Sequence, residues 1–349
     1  MQVSCPQPTE ARNISISDRA RRPTFIRPVP PYSLIAPFAR EASRLERYRP
    51  PFRFSSFFSP EDTLLCVLAG ERALAARVGN NSSIVELTSG SGLVGFQLLN
   101  LAPGARLFGV DVDPDAEICA RANARLLDCA SRARFSCMSL WDGRMESVLR
   151  AERADLLVCN PPYVPERPGA ALPLEAGAGA DGSAHLRRVV ALAKATQPEG
   201  LVLSWCSLCD PEGVVGEAED AGYQLDELFV VVIADGEYSG SVHDYLVTLP
   251  TSFLNSANET LVAVAPDGSA RFAYLLMSGA FTRIGMVSHG GRECVRSLCA
   301  DFAERGTGAL VGFQGAIKNR IWLLDRWDEI ALRAELHGSV DAPLHSISP

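Results

Sequence analysis

Residues 155–163 read Asp155-Leu156-Leu157-Val158-Cys159-Asn160-Pro161-Pro162-Tyr163. Leu156 to Cys159 is a short apolar run with the length and bulk of a strand buried on both faces. The two prolines stop it, because neither donates to a sheet ladder and both fix φ. Asn160 is thereby held at the carboxyl end of the strand, the edge at which open α/β sheets bind ligands. Its side chain offers a carbonyl acceptor and an NH2 donor. The Pro161 carbonyl, outside any regular ladder, is a second acceptor. Two acceptors converging on one point can hold an NH2 group and orient its nitrogen lone pair. Tyr163 adds a flat face for stacking a planar amide or base.

Upstream the chain alternates strands and helices. Ser59 is placed to cap a helix, Pro60 fits its first position, and Asp62 is a carboxylate for its first turn. The apolar helical pattern runs from Leu64 to Val78. Ser83 to Leu87 reads as a strand and enters Thr88-Ser89-Gly90-Ser91-Gly92-Leu93-Val94-Gly95, with a helix continuing to Leu101. Glycines after a strand let the backbone turn tightly and approach a ligand closely. Read from the acidic strand end, the pattern is E-x-x-x-G-x-G. Glu86 suits a ligand with an ammonium group rather than a pyrophosphate, and a dinucleotide loop is the competing reading. A second strand, Ala105 to Val110, ends in Asp111-Val112-Asp113-Pro114. A carboxylate there can take both hydroxyls of a ribose. A helix over Asp115 to Leu127 follows, then a strand from Arg134 to Met138, the turn Ser139-Leu140-Trp141-Asp142, and the strand that delivers Asn160. This alternation predicts a parallel sheet with helices on both faces.

On these motifs residues 57–235 resemble the class I S-adenosylmethionine-dependent methyltransferases that act on nitrogen, whose Asn-Pro-Pro-Tyr motif stands here at 160–163. They look most like the protein-glutamine N5-methyltransferase branch, which modifies the Gly-Gly-Gln glutamine of release factors. The matching stretches are Pro60-Glu61-Asp62-Thr63, Glu86 to Gly92, Val110 to Ala116, Ala122-Asn123-Ala124 and Asn160 to Glu166. The resemblance implies an α/β fold, a Rossmann-like seven-stranded class I methyltransferase sheet over residues 57–250. An Arg/Pro-rich N-terminal arm (1–56) precedes it and a small C-terminal α+β addition (251–349) follows. The implied cofactor is S-adenosyl-L-methionine, with no metal. Glu86, Thr88, Gly90, Gly92, Asp111, Val112, Leu140, Asp142 and Asn160 would contact it, with the loop at Leu140 beside the adenine. Asn160, Pro161 and Tyr163 would form the acceptor side.

Departures from that branch leave the acceptor open. Ser139 stands where the family carries an acidic residue, so the adenine contact passes to Asp142 or to backbone. Ser204 stands where the fifth strand carries Glu. Gly177-Ala178-Gly179-Ala180-Asp181-Gly182-Ser183 replaces a Gly-Gly-x-Asp-Gly-Leu run, and the helical bundle that docks release factors has no counterpart. The acceptor could be a protein glutamine, a small molecule or peptide, or an adenine in RNA or DNA. A protein that binds the cofactor without catalysis is the reading from a different class.

Composition sets the frame. The 349 residues are 47% hydrophobic and 21% charged, enough for a sizeable core, and no apolar run is long enough to span a membrane. The start lacks the charged end and apolar core of a signal peptide. Ten cysteines without paired zinc spacing suggest thiols in a reducing cytoplasm, Cys206 and Cys209 forming one C-x-x-C. The formal net charge is −8, yet Ala11 to Arg53 carries ten arginines against Asp18, Glu41 and Glu46. The arm is expected to pair with its own acidic domain rather than with nucleic acid. Phe38 to Tyr48 has a helical pattern, and the Ala/Gly-rich Gly169 to Ala184 has the composition of a flexible lid.

Beyond Asn160, Leu186 to Thr196 and Pro211 to Gly222 read as helices and Gly200 to Trp205 as the fifth strand. Tyr223 to Ile233 and Tyr245 to Leu249 are expected to close the sheet as an antiparallel pair. In the C-terminal addition, Leu261 to Val264 and Phe272 to Met277 flank a hairpin signal, and helices are expected over Arg292 to Arg305 and Ala316 to His337.

Overall fold

The computed structural model describes residues 35–37, 45, 47–48, 51–54, 58–77, 81–234, 237–254, 272–306 and 321–325. Buried apolar runs make the central strands: β2 (Ser83–Leu87), β5 (Leu156–Cys159) and β6 (Gly200–Cys206) have no exposed residue. They lie beside β3 (Arg106–Asp111) and β4 (Ala133–Cys137) on one side, and β8 (Ala273–Arg283) and β7 (Tyr223–Ala234) on the other. Two short strands, β1 (Ile35–Pro37) and β9 (Ile321–Asp325), extend the β7 edge. The nine-stranded sheet has the order β1-β9-β7-β8-β6-β5-β2-β3-β4. Only β8 runs antiparallel to its neighbours, pairing β6 and β7. Without β1 and β9 the sheet has seven strands, the number that the resemblance implies.

The helices follow the handedness rule for parallel crossovers. From β2 the chain steps outward through α2 (Leu93–Leu101) and α3 (Pro114–Leu126) to β4. It then reverses, returning through α4 (Met145–Glu152) to β5 and continuing in that direction through α5 (Ala184–Thr196) and α6 (Pro211–Asp220). Reversing direction at constant hand puts the two sets on opposite faces. α1 (Pro60–Arg77) packs beside α2 and over β6 and β8; α9 (Gly290–Arg305) packs beside α6. Ser59 caps α1, its Oγ accepting the Asp62 amide at 3.4 Å.

Three expectations are corrected. Tyr245 to Leu249 is no strand: it belongs to the one-turn helix α8 (His243–Leu246), which follows α7 (Glu237–Ser241), and the turn beyond. Leu246 and Val247 find backbone acceptors four residues back, at Val242 and His243, so the segment satisfies itself locally. The antiparallel partner of β7 is β8, eleven residues of which only Arg283 is not buried. The boundary at residue 250 therefore cuts through the sheet, because a strand from beyond it inserts between β6 and β7. Finally, Ile321–Asp325 is a strand where a helix over Ala316 to His337 was expected; it pairs in parallel with β7 and β1. The hairpin partner at Leu261 to Val264 and the helix at Phe38 to Tyr48 lie wholly or mostly outside the described residues.

The arm is not separate either. Leu45, Tyr48 and Phe52 are buried in the same core as α2 and β2.

Candidate active site

Strand order reverses between β2 and β5, which makes their carboxyl ends the switch point at which open α/β sheets bind ligands. Leu87 and Cys159 are in register, so Thr88 and Asn160 leave the sheet side by side. The Thr88 hydroxyl lies 2.6 Å from the Leu87 carbonyl and 3.1 Å from the Asn160 backbone carbonyl, and can donate to either. Thr88 has φ 53°. That left-handed conformation is unfavourable for a β-branched residue by about 1–2 kcal/mol and persists only where surroundings over-determine it.

The glycine loop is fastened to the next strand end. Gly90 N donates to Asp111 Oδ2 at 2.8 Å, and Asp113 N to Asp111 Oδ1 at 3.0 Å. Burial pushes the Asp111 carboxyl up, against these two bonds. A carboxylate has about four acceptor sites, so two remain for a ligand. Val112 follows with 46% of its surface exposed, an apolar face on the same rim. Gly92, at φ 79°, turns the loop into α2.

Glu86 lies below the loop, buried. Its Oε2 accepts from Gly95 N at 3.1 Å, in the first turn of α2. Burial, with Asp111 nearby, pushes its carboxyl up to about 8. A Cβ at Gly95 would stand 2.5 Å from that oxygen, so only glycine fits. Gly95 completes a G-x-G-x-x-G run from Gly90, a pattern set aside when the loop is read as E-x-x-x-G-x-G; its task here is to admit a carboxylate.

On the acceptor side, Asn160 Oδ1 is buried and has no hydrogen-bond partner among the described residues. Pro161 is buried beside it. Tyr163, expected as a stacking face, has its hydroxyl hydrogen-bonded to Asp62 Oδ1 in the first turn of α1. Asp62 is buried, which raises its carboxyl, and burial likewise raises the Tyr163 phenol. Sequence reasoning gave Asp62 only a helix-terminal role. The Tyr163 carbonyl is approached by the Cys206 thiol at 4.0 Å.

In the loop after β4 the polar side chains bond within the loop itself. Asp142 accepts from Arg144 N at 2.8 Å, Nε at 3.1 Å and Nη2 at 2.8 Å. The Arg144 guanidinium holds the Asp142 carboxyl down to about 2. Ser139 Oγ accepts from Trp141 N at 3.1 Å and shapes the turn. Leu140 is buried, and its carbonyl takes Arg188 Nε at 3.0 Å. Ser204 is not on the rim: it is buried between β6 and β8, 3.0 Å from Ser278 Oγ. The stretch from Gly169 to Ala184 is tied down by Glu166, whose carboxylate accepts from Leu172 N at 3.0 Å and Gly179 N at 2.8 Å. His185, made harder to protonate by burial, meets Trp141 edge-on at 6.2 Å, and His243 stacks on Phe272 at 4.9 Å.

Residues 67–172 match the family model described as Methyltransferase small domain. This segment holds the glycine loop, Asp111 and Asn160, so the similarity to methyltransferase domains falls on the residues of the candidate site. Curated methyltransferases of two kinds are similar to it. A release factor glutamine methyltransferase of Moorella thermoacetica is 37% identical over 91 residues, 26% of this chain and 29% of that protein. One from Chlorobaculum tepidum is 35% identical over 115 residues, covering 32% and 39%. A tRNA1(Val) (adenine(37)-N6)-methyltransferase of Porphyromonas gingivalis is 35% identical over 79 residues, covering 23% and 31%. The chain thus spans between 29% and 39% of these relatives' length. Among solved structures, the ribosomal protein L11 methylase of Lactobacillus delbrueckii subsp. bulgaricus gives a TM-score of 0.38 at 15% identity, covering 66% of this chain and 84% of that one. Among the described residues no helix is long and apolar enough to cross a membrane.

Proposed function

We propose that this protein transfers a methyl group to a nitrogen presented as an NH2, on a protein glutamine, a peptide or a small molecule. The carrying observation is the buried, unpartnered Oδ1 of Asn160 at the end of β5. A buried acceptor left unpaired costs about 1–3 kcal/mol, which an incoming NH2 would recover. The motif around it is braced at both ends, through Thr88 and through Asp62, which favours a pre-positioned acceptor.

The residues present fit S-adenosyl-L-methionine. Asp111 has acceptor capacity for a ribose, Val112 offers an apolar face, and Glu86 is an acid near the glycine loop for an ammonium. Bound there, the cofactor supplies an activated methyl on a sulfonium. Asn160 Oδ1 and the Pro161 carbonyl hold the acceptor NH2 and stabilise positive charge growing on its nitrogen. Leu140 closes the adenine side, with Asp142 serving the loop geometry through Arg144. The acidic net charge favours a protein, peptide or small-molecule acceptor over nucleic acid. The nine described cysteines are free thiols, which fits a reducing compartment such as the cytoplasm.

The test is methyl transfer from labelled cofactor into a lysate fractionated into protein, RNA and small molecules, with wild type, Asn160→Ala and Asn160→Asp. Both variants should bind S-adenosylmethionine within a few-fold of wild type and lose about 10²–10³ in turnover. Label in the RNA fraction moves the acceptor to adenine. Wild-type rates from Asn160→Ala refute nitrogen positioning by this motif.

A further inference from the structure

The N-terminal arm is fastened to the glycine loop through one buried side chain. Asn123, on α3, is 1% exposed. Its Oδ1 accepts from Arg53 N at 2.9 Å, and its Nδ2 donates to the Arg53 carbonyl at 2.7 Å and to the Ser91 carbonyl at 3.1 Å. Ser91 lies between the two glycines of the loop. One amide therefore grips the arm backbone on both sides and the cofactor loop at the same time.

A second path runs through aromatic rings. Phe52 packs edge-on against Phe96 of α2, with centroids 6.3 Å apart and an interplanar angle of 90°. Phe96 in turn crowds Gly92, where a Cβ would stand 2.8 Å from its ring. Tyr48 stacks edge-on with Phe52 at 5.1 Å and donates its hydroxyl to Gln97 Oε1 at 3.0 Å. The arm thus rests on α2 and α3, the helices on either side of β3, and touches the loop at Ser91 and, through Phe96, at Gly92.

We infer that Tyr48, Phe52 and Arg53 of the arm, with Asn123, are positioning residues of the cofactor site, so that arm docking and cofactor binding favour each other. A loop held in left-handed turns at Gly90 and Gly92 is ordered only at an entropic cost. Docking the arm meets part of that cost before the ligand arrives. The coupling is reciprocal by linkage, so bound cofactor must also hold the arm down. This rests on the assignment of S-adenosylmethionine as cofactor, and it gives the arm a role that its charge alone does not suggest.

The experiment uses the full chain and S-adenosylhomocysteine as probe, with two readouts: calorimetric Kd and the rate of tryptic cleavage after Arg47 and Arg53. Saturating ligand should slow cleavage of wild type about fivefold or more, the lower end of ordinary coupling. Asn123→Ala should cleave faster without ligand, lose the protection, and bind with a Kd about tenfold higher. Phe52→Ala, which leaves the bonds of Asn123 intact, should shift both readouts the same way and serves if Asn123→Ala does not fold. A role confined to stability would lower the melting temperature and leave the ligand-dependent protection in place. Ligand that binds wild type without slowing cleavage overturns the coupling, as does Phe52→Ala with a freed arm and an unchanged Kd. A wild-type protein that binds no S-adenosylhomocysteine overturns the cofactor assignment along with it.

Discussion

The hydroxyl of Thr88 stands 3.1 Å from the backbone carbonyl of Asn160 and joins the loop after β2 to the motif after β5. The glycine loop and the Asn-Pro-Pro-Tyr turn are consequently one unit. Its position is set by the register of Leu87 with Cys159, and a shift in either loop is felt by the other.

Thr88→Gly separates strain from linkage. Glycine relieves the left-handed conformation, worth about 1–2 kcal/mol, and loses a hydrogen bond of about 1 kcal/mol and some backbone order. Stability in urea should stay within about 1 kcal/mol of wild type while methyl transfer falls. Transfer at the wild-type rate would show that the hydroxyl link does no positioning.

Tyr163→Phe keeps the ring and removes the hydroxyl that bonds the buried Asp62. The carboxylate is left short of a donor, at a cost of about 1–3 kcal/mol. Asp62→Asn, which retains an acceptor, should cost less. Denaturant melts of the two single variants and the double variant measure the coupling; additive losses would mean that the contact contributes nothing of its own.

Glu86 ties stability and ligand affinity to pH. Its folded-state value of about 8 lies above the ordinary 4.5 because of burial. Between those values the folded chain holds a proton that the unfolded chain has released. Its contribution is therefore fully present below pH about 4.5 and is lost as pH rises through about 8. Glu86→Gln should flatten that part of the stability profile. An ammonium bound nearby favours the carboxylate, so cofactor binding near pH 7 should release a proton, detectable by calorimetry in buffers of different ionisation enthalpy. No proton release would place the ammonium elsewhere.

Truncation tests the anchoring of the arm. Removing residues 1–50 takes Leu45 and Tyr48 out of the core and should destabilise the domain, since losing even one large buried side chain costs about 2–5 kcal/mol. The full chain should not bind RNA or DNA near physiological salt. A gel shift at low micromolar protein that weakens steeply with salt would contradict this and favour an adenine acceptor.

The sequence by itself determined the central strands, the glycine loop, the acidic strand ends and Asn160. Each of these is written locally, as an apolar run, a breaker and a polar residue within a few positions, and an open parallel sheet has only one edge where such ends can meet. It did not determine which polar groups would pair. Tyr163 finds Asp62 across 101 positions, Asn123 finds Arg53 across 70, and Ser204 finds Ser278 across 74. These partners are chosen by how distant segments pack, because a buried donor or acceptor must be satisfied by whatever the fold brings within reach. The same reason explains the misplaced seventh strand. Tyr245 to Leu249 and Phe272 to Met277 both have strand composition, but only the second leads into a run long enough to bury ten residues between β6 and β7. Long-range burial made that choice, and local pattern carries no record of it.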